Sequence, residues 1–272
     1  MTGRMEGKVA LITGAARGQG RSHAVRLAQE GADIIAVDIC KSIRNVPYRG
    51  ATPEDLEQTV KEVEALGRRI VASEADVRDA SEMKELVARG VDELGRIDVA
   101  VANAGISIMA AWDKVSQEVW QDTIDINLTG AWNTIQAVAP QLVAQGTGGS
   151  IVLISSSAGL KAMPFLSHYT ASKHGVTGLG RAFAGELARH NIRVNSVHPC
   201  GVETEMISDE ANAACIAGLQ DNPKIGGMMV NMLDVFSVKP VEISNAVLFL
   251  ASDESRYITG LAMSVDAGCV QF

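Results

Sequence analysis

Tyr169 is followed four positions later by Lys173, in the run Tyr-Thr-Ala-Ser-Lys, and Ser156 stands thirteen residues upstream. A phenol is a weak acid, with an ordinary pKa of about 10. An ammonium one helical turn away favours the phenolate and is expected to lower that value. A neighbouring hydroxyl can hold a carbonyl or alcohol oxygen within reach of the phenol. The three groups together form a device for moving a proton on or off an alcohol oxygen near neutral pH.

A hydride carrier is the natural partner of such a device, and the run TGAARGQG at 13–20 points to one. It follows a short apolar segment and precedes a helical one. Gly14, Gly18 and Gly20 permit a tight turn and close approach of a pyrophosphate to a helix N-terminus, with Arg17 and Gln19 between them. A plain glycine-rich turn is the alternative. Asp38 lies 24 residues after Gly14. A carboxylate there can accept both hydroxyls of an adenine ribose and repel a 2′-phosphate, which favours NAD over NADP. Arg17 is the opposing signal, since it could pair with a 2′-phosphate.

Other polar residues have two readings each. Asp76-Val77 could meet the adenine edge, or Asp76 could cap a loop. Asn103-Ala104-Gly105 offers small residues for close cofactor approach, or Asn103 ties neighbouring strands together. Asn127 is polar within an apolar helical stretch, where a buried Asn commonly satisfies backbone groups. Ser155 and Ser157 compete with Ser156, and strand alternation would place Ser156 on the opposite face from both. His168 and His198 fall near these residues, but lone histidines are usually structural and neither is given a catalytic role. Met109, Met163, Phe165, Met206, Met228, Met229 and Met232 suggest an adaptable apolar pocket, or ordinary packing of a mobile lid.

These residues must be positioned by a large core, and 272 residues with 47% hydrophobic content can bury one. Apolar runs predict strands at 9–12, 33–37, 70–73, 97–102, 150–155, 193–197 and 262–265. Helices are expected between them: 20–30; one capped by Thr52 with Pro53 in its first turn and ending at 66; one capped by Ser81 and ending at Gly95; a long one over 120–144; one over 169–190; and one over 240–251. Continuous apolar strands alternating with helices indicate an α/β fold, a doubly wound parallel sheet with helices on both faces. No repeat or linker divides the chain, so 1–272 is read as one domain. Segments 39–51 and 203–239 break the alternation, and both follow the carboxyl end of a strand, where such sheets bind ligands.

The net charge of −8 argues against nucleic acid or an anionic membrane surface as partner. Cys40, Cys200, Cys215 and Cys269 form no C-x-x-C pair and are read as reduced thiols of a cytoplasmic protein. No His/Asp/Glu cluster suggests a metal. Residues 1–8 lack the apolar core of a secretory leader. The longest apolar stretch, 99–112, is too short to span a bilayer.

With TGAARGQG, Asp38, Asp76-Val77, Asn103-Ala104-Gly105, Asn127, Ser156, Tyr169 with Lys173, and Pro199 through Thr204 in this order, the chain resembles the short-chain dehydrogenase/reductase family over its whole length. The resemblance implies a Rossmann-like fold with a seven-stranded parallel sheet. It implies Tyr169 as general acid/base, Lys173 lowering its pKa and binding the nicotinamide ribose, Ser156 orienting the substrate oxygen, and Asn127 holding a proton-relay water. Cofactor contacts are expected from Gly14, Arg17, Gly18, Gln19, Gly20, Asp38, Asp76, Val77, Asn103, Ala104, Gly105, Tyr169, Lys173, Pro199, Val202 and Thr204. The family's usual Pro-Gly is here Pro199-Cys200, with Gly201 next. Homotetramers are common in the family.

Asp38 and Asp76 are 38 positions apart, longer than in most relatives, with the extra residues at 39–51. With the stretches at 3–40 and 195–207, this resembles the mycofactocin-associated subgroup, which includes carveol dehydrogenase-like enzymes. That resemblance implies an insert covering a retained NAD, re-oxidised in place by an external redox carrier. An exposed surface loop is the other reading of 39–51. The expected substrate is a terpenoid or other apolar secondary alcohol, or its ketone. An NADP-linked carbonyl reductase and a non-catalytic nucleotide-binding protein are the alternatives.

Overall fold

The computed structural model describes residues 3–271, so Met1, Thr2 and Phe272 of the 1–272 span lie outside the described residues. Seven strands form one sheet: β1 (Val9–Thr13), β2 (Asp33–Asp38), β3 (Ile70–Glu74), β4 (Val99–Ala102), β5 (Gly149–Ile154), β6 (Ile192–Pro199) and β7 (Ala262–Val265). Their spatial order is β3-β2-β1-β4-β5-β6-β7, and every neighbouring pair is parallel. Order reverses between β1 and β4, and the crevice at such a switch point is where open α/β sheets take ligands.

The helices are α1 (Gly18–Gln29), α2 (Pro53–Glu64), α3 (Ala80–Leu94), α4 (Gln117–Ile124), α5 (Gly130–Gln145), α6 (Ser167–Leu187), α7 (Asp209–Asp221) and α8 (Pro240–Ala251). Successive residues of each strand feed opposite faces. Val9 and Leu11 enter the core layer under α3, α5 and α6, whereas Ala10 and Ile12 enter the layer under α1, α2 and α8. Burial on both faces explains why the strands read as unbroken apolar runs.

Three local expectations need correction. Asp79, not Ser81, caps α3, because its carboxylate accepts from the N–H groups of both Ser81 and Glu82. The single helix expected over 120–144 is two helices joined by a π-helical turn, Asp125–Thr129, that contains Asn127. Such turns interrupt a helix's regular hydrogen bonding and recur at functional sites. The irregular 203–239 segment contains α7, which periodicity failed to show because its apolar residues do not gather on one face. Thr52 and Asp55 form the reciprocal cap expected at the start of α2.

Candidate active site

The turn after β1 is shaped by contacts that exclude side chains. Gly14 has φ +67, and a Cβ there would meet the Ala104 backbone at 2.9 Å; at Gly20 a Cβ would lie 1.9 Å from the Gly14 carbonyl oxygen. The turn delivers the chain into α1, whose first residue is preceded by extended Arg17 with no side-chain cap. The free N–H groups of that helix end, Arg17 and Gln19 line a cleft with Asp38, Asp76, Val77, Asn103, Ala104 and Gly105. The Arg17 Nη1 and Gln19 Oε1 atoms are buried there without a hydrogen-bond partner among the described residues. An uncapped helix end beside a guanidinium nitrogen that makes no hydrogen bond suits a pyrophosphate. The donor set therefore fits a dinucleotide.

Several polar side chains of this cleft also hold its walls. Asn103 donates to the Thr13 and Gly14 carbonyls at 2.9 and 3.3 Å, tying β4 to β1. Asp38 accepts from the N–H groups of Ala16 and Cys40, at 3.0 and 3.1 Å. Each oxygen of a carboxylate has a second lone pair, so the group can still accept ribose hydroxyls. Asp76 is clamped by the Arg78 guanidinium while lining the cleft.

Segment 39–51 lies across the cleft, with Ile43, Val46 and Tyr48 in its lining. The Tyr48 hydroxyl accepts from the Ser107 N–H at 3.1 Å. Arg17 donates to the Arg49 carbonyl, and Arg49 grips Asp55 with both terminal nitrogens. The Glu205 carboxylate stands 3.7 Å from Arg17 and 4.0 Å from Arg49. The segment thus extends beyond the adenine end and closes on the chain that follows β4. Tyr48, Ser107 and Glu205 were absent from the expected set. A tyrosine at the end of an unusually long connection was the available signal.

A second pocket joins the first through Gln19, Thr204 and Met206. Ser156 and Tyr169 line it, as do Pro199 and Val202, and its walls include Met109, Met163, Leu166, Ile207, Met229 and Phe236. Four of the seven suspected apolar residues are therefore here. Phe165 instead packs over Gly218 of α7. Met228 and Met232 are partly to largely exposed, at 36% and 59%.

Ser156 lies beyond β5, so strand alternation does not select it. Ser155 is turned away, donating to the Lys173 carbonyl at 2.9 Å. Ser157 is buried in the one-turn helix that follows. The Ser156 Oγ accepts from the Ala158 N–H at 3.1 Å, which leaves its own proton free to donate. Lys173 is buried, donates to the Ile154 carbonyl at 2.8 Å, and sits 5.5 Å from the centre of the Tyr169 ring.

The expected direction of the phenol shift is reversed. Burial pushes the Tyr169 hydroxyl up to about 12, although the Ser156 hydroxyl draws it down; the Tyr48 phenol also raises it. Burial also brings the Lys173 ammonium down to about 8. Desolvation of the charged form sets the direction at both groups.

Both Nδ2 protons of Asn127 are engaged, and its Oδ1 keeps one lone pair. Its Oδ1 accepts from the Ile106 N–H at 2.8 Å, and its Nδ2 donates to the Ile106 carbonyl at 2.9 Å and the Ser172 hydroxyl at 3.2 Å. In the structure it clamps the chain after Gly105, the backbone role weighed above. No three His, Cys, Asp or Glu side chains among the described residues could hold a metal ion. No described helix is long and apolar enough to cross a membrane.

A doubly wound sheet with a glycine-rich turn at the switch point, Ser156 and Tyr169 in the adjoining pocket and Lys173 buried beside the phenol defines a nucleotide-dependent dehydrogenase. The pattern of the short chain dehydrogenase family matches residues 8–214, and the chain belongs to that family. The chain is 49% identical to (-)-trans-carveol dehydrogenase of Rhodococcus erythropolis, covering 97% of this chain and 98% of that one. A crystal structure of carveol dehydrogenase from Mycobacterium avium in complex with NAD superimposes with a TM-score of 0.94 at 54% identity, over the full length of both chains. A short chain dehydrogenase from Mycobacterium paratuberculosis bound to NAD gives 0.97 at 52% identity, covering 99% of this chain and all of that one.

Proposed function

We propose that this NAD-dependent short-chain alcohol dehydrogenase interconverts an apolar secondary alcohol, terpenoid in character, and its ketone. The observation that carries the reading is that Ser156 and Tyr169 face one pocket walled by Met109, Met163, Leu166, Ile207, Met229 and Phe236. Such walls bury a hydrocarbon skeleton, while the two hydroxyls meet its one polar atom. The carveol dehydrogenase relatives support the same substrate class.

In the oxidative direction Ser156 donates to the substrate oxygen, and Tyr169 takes the proton of the alcohol. NAD, when bound, accepts the hydride of the carbinol carbon. Lys173, adjoining Gly105 and Tyr169, binds at the ribose end of the cofactor and favours the phenolate. In reduction the phenol returns its proton to the oxygen. Asn127 acts through Ile106, holding the wall against which cofactor and substrate meet. Asp38 selects NAD against NADP.

Segment 39–51 acts as a strap that keeps NAD in place between turnovers, so that an external redox carrier re-oxidises it. Support comes from the three anchors of the strap: Tyr48 on Ser107, Arg17 on the Arg49 carbonyl, and Glu205 beside both arginines. The active assembly is a homotetramer, as the family resemblance implies.

The test is turnover across a panel of cyclic and acyclic alcohols, with NAD and NADP added separately and with an artificial electron acceptor. Oxidation of apolar secondary alcohols, with the acceptor needed for repeated turnover, is expected. Turnover confined to polar or primary alcohols would overturn the substrate assignment. Cofactor-free protein after dialysis would overturn retention, and light scattering checks the tetramer.

A further inference from the structure

We propose that His198 is a positioning residue for the reaction: through its side chain it orients Ser156. The proposal rests on the reading of Ser156 as the group that holds the substrate oxygen.

His198 is the last residue but one of β6, fully buried, and paired in register with Ser264 of β7. Its Nδ1 lies 2.8 Å from the Ser156 carbonyl oxygen, and its Nε2 lies 2.8 Å from the Ser196 hydroxyl. A carbonyl only accepts, so Nδ1 carries the proton and donates it to Ser156. Nε2 then presents its lone pair, and the Ser196 hydroxyl donates to it. The relay from Ser196 through His198 to Ser156 has one direction, set by the carbonyl at its end. Burial holds the imidazole down at about 4 against the hydrogen bond to the Ser156 carbonyl; Lys173 and Arg181 nearby also lower it, and Asp266 raises it. The ring therefore stays neutral, in the tautomer the relay needs, throughout the neutral range.

The consequence falls on the Ser156 peptide. Its carbonyl also accepts from the Gly159 N–H at 2.8 Å, so both lone pairs are used. The preceding residue is fixed as well, because the Ser155 N–H donates to the Val197 carbonyl at 2.9 Å. Two hydrogen bonds on one carbonyl fix its plane, and with it the direction of the Ser156 Cα–Cβ bond. Ser156 follows β5 and begins a one-turn helix, where the sheet ladder has ended and no longer sets that plane. His198 supplies the restraint from the neighbouring strand. It touches neither cofactor cleft nor substrate pocket, so its effect passes through Ser156.

Three variants separate positioning from packing. His198→Asn places an amide N–H where Nδ1 stood and keeps the donor to Ser156. His198→Gln reaches toward Ser196 but leaves the Ser156 carbonyl with one partner. His198→Leu removes both contacts. Misplacing a reacting group by about 1 Å can cost about a hundredfold in rate. For His198→Gln and His198→Leu, kcat is expected to fall about ten- to a hundredfold, with retained NAD unchanged. His198→Asn should recover to within a few-fold of the parent. In a Ser156→Ala background, His198→Gln should lower kcat no further. Should His198→Leu not fold, the Asn and Gln pair decides.

Equal kcat for Asn and Gln, or an undiminished effect of His198→Gln in the Ser156→Ala background, would overturn the proposal. If Ser156→Ala alone leaves kcat unchanged, the reading of Ser156 falls and this proposal falls with it. If Ser156→Ala is impaired and His198→Gln is not, only the proposal fails.

Discussion

The Lys173 ammonium lies 5.5 Å from the centre of the Tyr169 ring and donates to the Ile154 carbonyl at the end of β5. One cation is thus tied both to the sheet and to the phenol. Burial raises the phenol to about 12 and lowers the ammonium to about 8. Each group is held in its neutral direction, and the chemistry must move them back toward charge.

Tyr169→Phe should lower turnover by about 10²–10⁴-fold, the range for loss of a general acid or base. The substitution removes one pocket-facing hydroxyl and leaves the ring packing, so the melting temperature should stay close to the parent's. In the parent, alcohol oxidation needs the phenolate and should rise with pH from 7 to 10. Ketone reduction uses the protonated phenol and should not rise over the same range, declining as the Lys173 ammonium deprotonates through about 8. Initial-rate profiles in both directions check this, and a level oxidation profile contradicts it.

Lys173 also leaves a signature in stability. Its folded value of about 8 lies below the ordinary 10.5, so the unfolded chain holds more protons between them. The unfolding free energy from this group must rise with pH through that window. Lys173→Met removes the titration and the buried charge. It should be nearly inactive, yet no less stable than the parent at pH 7. Urea unfolding at pH 7 and at pH 9.5 should show the parent gaining on the variant at the higher pH.

Two of the buried histidines add to acid sensitivity. Burial lowers His23 to about 3 and His198 to about 4, each against 6.5. Below 6.5 the unfolded chain takes up protons that the folded chain refuses, so stability falls as pH drops toward 4. His23→Gln should reduce the slope of unfolding free energy against pH between 6.5 and 5. Denaturant titrations at half-unit steps measure it, and an unchanged slope contradicts the assignment.

The strap gives a prediction about cofactor release. Glu205 stands beside both Arg17 and Arg49, and all three are at least partly reached by solvent. Glu205→Gln should speed NAD release about two- to fivefold, the scale of an exposed ion pair. Tyr48→Phe frees the Ser107 N–H and should speed it further, because that contact closes the substrate-side end. NAD remaining after timed dialysis, measured on denatured protein, reports both. Release at the parent's rate in both variants removes the strap.

Much of this architecture was legible in the residues. Seven apolar runs marked seven strands, and helix 240–251 matched α8 residue for residue, because Pro240 opens the helix and its apolar face is buried. Asp79 outcompeted Ser81 as cap because its position relative to the first free N–H groups, rather than hydroxyl chemistry, decided the bond. The π-helical turn at Asn127 escaped notice since one extra residue in a helix leaves composition and apolar spacing almost unchanged. The α7 segment escaped because its apolar residues are spread around the helix.

The sequence by itself determined the order and chemistry of the parts: a glycine turn before a helix, a carboxylate at the end of β2, and a serine, a tyrosine and a lysine at the spacing of a proton-transfer set. These follow from residue type and local spacing, which need no knowledge of neighbours across the sheet. Only the tertiary structure decided what those parts experience. It raised the Tyr169 phenol where spacing to Lys173 argued for lowering it, because desolvation depends on everything packed around a group. It brought Tyr48 to Ser107 across 59 residues by folding the long connection after β2 over the cleft, and His198 to Ser156 across 42 by laying β6 beside β5.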